Sequence, residues 1–533
     1  MPDKIDLPLT PEQIAAAIRR LSPRQRARLD ELLSAPEPGT GPVVPPAPRT
    51  PTAEDLVFNG VNGATGGYLL LPKTPGELRA WITGEEEREI QEDPDNLVGL
   101  WQKVEKKETL GVVAGVDPLD PEQAGWGILY HPGTPQAVRD ELAPLVEYRK
   151  QQCKRDVSGL PVEFEVDPGQ DRSAYDFRLR HEQAHGAVNP EKLPYYLLIV
   201  GPPTHISFRF QYSLDAHHAV GRLCFDGVKD YGRYAASVLD YERQDDAVPR
   251  QRRATFFGPD SDRAMALSRE YLIEPLAQAL RDADLNPTPY HIEALAPEAT
   301  TRQGLLDLLA RDGDQPAFLF TATHGLGFPT DDPQQFGEQG ALVCQGWPGS
   351  NRWLPNEPVP EDLYVAARHL PTRRFDGLMV LSFACYSAGT PATDDFGHLH
   401  DHLPLELGAE PFVARWPQRL LAQGALAFIG HVDRAWSYSY AWPGAGRQTD
   451  AFESALKLIL AGQPVGHAME HFQHKYLDLN NQIIEEDLLN KPGFDPEIAR
   501  KTVRVWTARN DARSYVLLGD PLVRLRPALM AGA

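Results

Sequence analysis

Pro316-Ala-Phe-Leu-Phe-Thr-Ala-Thr-His324-Gly325 and Gly377-Leu-Met-Val-Leu-Ser-Phe-Ala-Cys385, the second followed by Tyr386-Ser-Ala-Gly389, decide how this chain is read. Each is a short apolar run bounded by Pro or Gly, the pattern of a strand buried on both faces of a parallel sheet. Open α/β folds place their chemistry at the carboxyl ends of such strands. The two runs therefore set an imidazole and a thiol on one rim, the layout of a cysteine nucleophile with a histidine partner.

Outward from these runs, strands alternate with helices. The pattern predicts strands at Gly125–Tyr130, Pro194–Gly201, His218–Phe225, Tyr290–Leu295 and Ala425–Gly430. Helices are predicted over 134–153, 228–243, 263–282, 301–310, 412–423, 449–461 and 464–478. Such alternation predicts an α/β sandwich with a mostly parallel sheet, and a weak echo between its halves predicts two subdomains, 125–245 and 246–527. Before them, Thr10-Pro11 opens a helix within 1–35, as N-cap and first helical residue. A Pro-rich linker follows over 36–52. Residues 53–124 form an accessory region whose acidic stretch, Gly84 to Asp93, reads as a solvated helix face.

The 533 residues carry a formal net charge of −21 with no basic run to offset it, which excludes a general nucleic-acid role. The four cysteines, Cys153, Cys224, Cys344 and Cys385, are widely spaced, so neither a zinc ribbon nor a disulfide framework is expected. The start, Met1-Pro-Asp-Lys-Ile-Asp, lacks the basic-then-apolar pattern of a signal peptide, and no run reaches the ~18 apolar residues of a membrane span. A cytoplasmic protein without membrane contact is the expectation. His398, His400 and His402 alternate as strand-borne metal ligands would, but the surrounding Asp, Gly and Pro read as a loop, and no metal is expected there.

Several further motifs fall in a fixed order: Leu197-Leu-Ile-Val-Gly201, Ser213-Leu214-Asp215, Val220-Gly221-Arg222-Leu223, Tyr241-Glu242-Arg243, Thr323-His324-Gly325, Phe383-Ala384-Cys385, Gly430-His-Val-Asp-Arg-Ala-Trp436 and Leu518-Gly519-Asp520-Pro521. In this order they resemble the gingipain-like cysteine peptidases, within the caspase-like fold that also includes CHAT-domain proteases. The resemblance spans roughly 125–527. It implies a caspase-like three-layer α/β/α sandwich, a small N-terminal region, and His324 with Cys385 as the catalytic pair. It also implies a specificity pocket with Asp215 at its floor and Trp436 as a wall, facing a basic P1 residue, Arg before Lys. Asp433 is a second choice for the acidic contact. An acidic P1 preference would instead need a converging Arg222, Arg415 or Arg434. Members of the family can bind calcium, but no Asp-rich loop marks a site here, so no cofactor is expected.

The chemistry of the pair stands on its own. A free thiol is only a few per cent ionised at neutral pH, yet the thiolate is the attacking species. His324 can stabilise that thiolate and deliver a proton to the leaving amine. Gly325, without a Cβ, lets its N–H approach a substrate carbonyl, and with the Cys385 N–H it forms an oxyanion hole. Each such donor is worth on the order of 3 kcal/mol of transition-state stabilisation. The expected function is an intracellular endopeptidase working through a thioester, with a protein or peptide substrate and with residues 1–124 as a regulatory or partner-binding region. The competing reading is a caspase-fold scaffold without peptidase activity. No residue of the sequence identifies a third group orienting His324.

Overall fold

In the computed structural model the described residues are 58–68, 111–167, 173–283, 285, 289–311, 313, 315–349, 357–394, 406–486 and 496–532. The expected N-terminal helix, the Pro-rich linker, the acidic stretch and the three alternating histidines lie outside them. Apolar runs build the sheet: Trp126–Tyr130 (β1), Tyr196–Val200 (β3), Ala219–Leu223 (β4), Pro316–Ala322 (β7), Met379–Phe383 (β8), Ala427–His431 (β9) and Tyr515–Gly519 (β10) are buried at every position. Strands covered on both faces require this. Glu163–Glu165 (β2), Gln251–Phe257 (β5) and His291–Ala294 (β6) complete a ten-stranded sheet in the order β2-β1-β3-β4-β10-β9-β8-β7-β5-β6.

Alternate residues of β3 show the three layers. Tyr196 and Leu198 pack with Leu142 and Leu145 of helix Gln136–Gln152 (α1) and Tyr234 of Val228–Glu242 (α4). Leu197 and Ile199 pack with Phe177 of Ala174–Arg180 (α2) and with Phe210 and Leu214 of Phe208–Asp215 (α3). Period-two side chains meeting different helices on each face make the sheet the middle layer.

The strands form two parallel blocks of opposite direction that meet where β9 and β10 pair antiparallel. The last strand, β10, is parallel to β4 and so belongs with the first block, although the sequence places it after 246. His431 at the end of β9 faces Tyr515 at the start of β10. The carboxyl ends of the second block therefore share one rim with the amino ends of the first.

The helix predicted over 263–282 runs as Arg263–Ser268 (α5), a π-helical turn at Arg269–Ile273 and Glu274–Asp282. Pro275 explains the interruption, since it cannot donate to the carbonyl of Tyr271 and its ring crowds that group. The segment after His324 also carries more structure than a bare connection. It holds short strands at Leu326–Gly327, Leu342–Val343 and Tyr364–Val365 around an apolar cluster of Leu326, Phe328, Val343, Trp347 and Tyr364. Among the described residues no helix is long and apolar enough to cross a membrane.

Candidate active site

β7 stays paired to β8 up to Thr323, whose N–H donates to the Phe383 carbonyl at 3.1 Å, and the chain then leaves the sheet at His324. The imidazole is fully buried, 5.2 Å from the Trp347 ring, edge-on, and 5.6 Å from that of Tyr68. Its Nε2 lies 2.9 Å from Asp262 Oδ2. Asp262 is the N-cap of α5, accepting the Met265 N–H at Oδ1 (2.8 Å), while the Tyr68 hydroxyl donates to Oδ2 at 2.5 Å. Burial alone would push this carboxyl up. The charge of His324 and the bonds from His324, Tyr68 and Met265 outweigh it and hold Asp262 below the ordinary carboxylate value. Nε2 is thus committed to a carboxylate, and Nδ1 has no hydrogen-bond partner among the described residues. That nitrogen is the one left for chemistry.

Cys385 follows β8 and is also fully buried. Its Sγ accepts the Ala435 N–H at 3.2 Å and lies 3.9 Å from the Ala435 carbonyl. Among the described residues no hydrogen bond joins the thiol to His324. Burial pushes the thiol well up, while the Ala435 N–H and Arg434 pull the other way. Burial in this closed arrangement thus favours the protonated sulfur over the thiolate.

Gly325 binds the two strand ends together. A Cβ on it would sit 1.8 Å from the Cys385 carbonyl oxygen and 3.0 Å from the Cys385 nitrogen, so only glycine fits. Ladder bonds to the neighbouring strand are made by the His324 carbonyl, from Val343 N–H at 2.9 Å, and by Leu326 N–H, to Ala341 at 2.8 Å. Both polar groups of Gly325 therefore point to the opposite side, away from that strand.

The loop after β9 closes the rim. Asp433 accepts the Tyr386 N–H on its backbone carbonyl at 2.7 Å, and both residues have positive φ, 75° and 58°. Arg434 is buried between Asp433 Oδ1 (3.2 Å) and Asp394 Oδ1 (2.5 Å). Trp436 is buried, and its backbone N–H donates to Asp511 Oδ1 at 2.8 Å. Asp511, on helix Pro496–Arg513 (α6), also receives the Ser439 hydroxyl and lies 3.2 Å from His431 Nε2. Asp511 fixes the loop that touches the thiol.

The rim thus brings His324, Gly325, Cys385, Asp433 and Trp436 together, and it does not bring Asp215 to them. Asp215 ends α3 as a buried helix residue, with Val220 and Arg222 as its electrostatic partners. It precedes β4, three strand spacings from β8, or about 14 Å. Arg222 is spent on Gln211 and on the carbonyls of Gly201 and Ile206, and Arg415 pairs with Asp226. Sequence reasoning missed Asp262, Tyr68, Trp347 and Asp511. Among the described residues no group of three or more His, Cys, Asp or Glu could hold a metal ion.

One more segment lies on the site. Phe58–Asn59 pairs antiparallel with Ala435–Trp436, and Val61–Asn62 pairs parallel with Leu326–Gly327. Val61 N–H donates to the Gly325 carbonyl at 3.0 Å and Gly63 N–H to the Gly327 carbonyl at 2.9 Å. A Cβ on Gly63 would fall 2.1 Å from the Phe328 ring.

No protein-family model matches the sequence, and no curated protein matches it. Among solved structures the chain is similar to one titled as a protease, with 12% identity over 75% of this chain and 79% of that one and a TM-score of 0.41. It is also similar to the complex of the pro- and mature domains of RgpB from Porphyromonas gingivalis, with 12% identity, 76% and 81% coverage and a TM-score of 0.35. A third similarity is to the separase–securin complex of Saccharomyces cerevisiae, with 12% identity over 62% of this chain and 16% of that one and a TM-score of 0.29.

Proposed function

We propose that this protein is a cysteine endopeptidase in which Cys385 attacks, His324 moves the proton and Asp262 holds the imidazole. The observation that carries this reading is the rim itself. His324 Nε2 is fixed by a carboxylate, its Nδ1 is uncommitted among the described residues, and Gly325 is pressed against the Cys385 backbone. In the reaction Nδ1 takes the thiol proton and the sulfur adds to the peptide carbonyl carbon. The negative oxygen is met by the Gly325 and Cys385 N–H groups. Collapse expels the amine, which leaves with the proton from His324, and water then hydrolyses the thioester with His324 as base.

The pocket is assigned to Asp433 and Trp436, and the residue it takes is basic, Arg before Lys. Asp433 supports this because its carbonyl anchors Tyr386, the residue after the thiol; its carboxylate is shared with Arg434 through Oδ1, so a P1 guanidinium would join that pair. A carboxylate beside the reacting centre suits a guanidinium. Asp215 has no contact with P1 in this reading.

A panel of fluorogenic peptides with Arg, Lys, Asp or Leu at P1 tests it, using the wild-type protein and a variant in which segment 58–68 is displaced. Cleavage of Arg peptides should vanish in Cys385→Ala, fall about tenfold in Asp433→Asn and survive Asp215→Asn. Cleavage that persists undiminished in Cys385→Ala would sink the reading. So would silence toward every peptide from both wild type and displaced variant, which would leave the scaffold of the sequence reading.

A further inference from the structure

Two side chains meant to meet a substrate are both 0% exposed, which demands an account of what covers them. The cover comes from the chain itself. Segment 58–62 runs in extended form between the two loops of the site, bonded through its backbone to one and then the other, and a turn over 63–67 then brings Tyr68 back beside Val61. On the thiol side Asn59 is opposite Ala435, the residue whose N–H and carbonyl contact Cys385 Sγ. On the histidine side Val61 N–H takes the Gly325 carbonyl, the polar face of Gly325 that points away from its own strand. Gly60, buried, spans the gap between those contacts. The same segment then packs Val61 into the cluster of Leu326, Phe328 and Trp347, and its Tyr68 reaches Asp262.

An extended peptide that adds a strand to an exposed edge is the usual way a protein grips a peptide, with backbone bonds supplying affinity. The receptor edge here is Ala435–Trp436, and the peptide on it runs from opposite the residue that contacts the thiol to the carbonyl of the residue that follows the imidazole. We propose that segment 58–62, anchored by the turn that follows it, occupies the substrate cleft in cis as an added strand and keeps the enzyme latent until it is displaced. This inference rests on Cys385 and His324 being the reacting pair. Latency also accounts for a nucleophile buried in a state unsuited to attack: removing the segment admits water to the sulfur and frees the Gly325 carbonyl side for substrate.

The grip is small. Its ladders are two residues long on each side. Displacement therefore does not require unfolding the sheet.

The test reads the thiol and the segment separately from peptidase activity. Gly63→Val drives a side chain into the Phe328 ring, and Val61→Asp places a carboxylate at a fully buried position. In each full-length variant, hydrogen exchange at the 61 and 63 amides reports whether the segment has left, and iodoacetamide labelling followed by peptide mapping reports Cys385. Release should speed Cys385 labelling at least ~10-fold over wild type, because access and ionisation both govern thiol reactivity. Buried Cys153, in the first block, should stay unlabelled and so certify the fold of either variant. Amides that lose protection while Cys385 labelling stays at the wild-type rate overturn the proposal, as does a wild type whose Cys385 labels as fast as a denatured chain. Fast labelling in released variants that cleave no peptide would leave the cover in place and remove the peptidase reading instead.

Discussion

Asp215 and Asp262 sit at helix ends on the same rim, both nearly excluded from water, and the protein treats their charges in opposite ways. Asp215 closes the carboxyl end of α3, where the helix dipole is negative and an anion is disfavoured. Burial pushes its carboxyl well above the usual range, and the Val220 N–H with Arg222 offsets only part of that. Asp262 opens α5, where orphan N–H groups welcome an anion. Burial acts on it in the same direction, but an imidazole, a phenol and a backbone amide reverse the outcome. Burial of an acid is therefore not the mark of a site. The mark is an acid whose charge is held for a second titratable group that still has an uncommitted atom.

The sharpest way to break the comparison is by activity. In the Val61→Asp background, where the segment has left, Asp262→Ala should lower kcat roughly 10²-fold with KM within about twofold, since there it loosens the base alone. Asp262→Glu should recover part of that loss, and Asp215→Asn should change neither constant. A loss in KM rather than kcat would mean that Asp262 shapes the binding site instead of orienting His324.

Stability against pH gives a second contrast, opposite in sign for the two residues. A depressed carboxyl such as Asp262 contributes stability that is present above the unfolded value of about 4 and is lost as pH falls through its folded value. A raised carboxyl such as Asp215 does the reverse: the folded state gains stability as pH falls from above its folded value toward about 4. Urea midpoints measured from pH 3 to 8 should thus show Asp262→Asn less stable than wild type at pH 7 and converging with it in acid. Asp215→Asn, which mimics the protonated form, should match or exceed wild type at pH 7 and lose that advantage at low pH. Parallel curves for the two variants would erase the distinction.

Much of the fold was legible because strands buried on both faces need continuous apolar residues, as β3, β7, β8 and β9 have. β5 was not, because Gln251-Arg-Arg begins it half-exposed and only its later residues are buried. β2 was missed for the same reason, with one buried residue between two exposed glutamates. The thiol, the imidazole and Gly325 were legible because each ends or follows such a run. Asp262 was not: Ser261-Asp262 before a helix is an ordinary cap, and nothing local says that its other oxygen meets a histidine 62 positions later. Asn59-Gly60-Val61-Asn62-Gly63 reads as a turn, since Asn and Gly favour turns. The turn is there, over 63–67 behind Asn62, but the strand pairing of 58–62 depends mainly on partners far along the chain, at 326–327 and 435–436.

The smallest effect isolates the one bond that links the cover to the acid. Tyr68→Phe removes the hydroxyl donor from Asp262 Oδ2 and leaves the His324 and Met265 bonds intact. One hydrogen bond to a charged acceptor is worth about 1.5–3 kcal/mol. The acid limb of the stability profile should therefore move to slightly higher pH, because a carboxylate with one donor fewer is easier to protonate. Asp215 gives the control, since its profile owes nothing to Tyr68. If Cys385 labelling rises together with that shift, Tyr68 holds the segment in the cleft as well as the charge on the acid. If the limb moves and labelling does not, the phenol serves Asp262 alone and the segment is held by its backbone pairing.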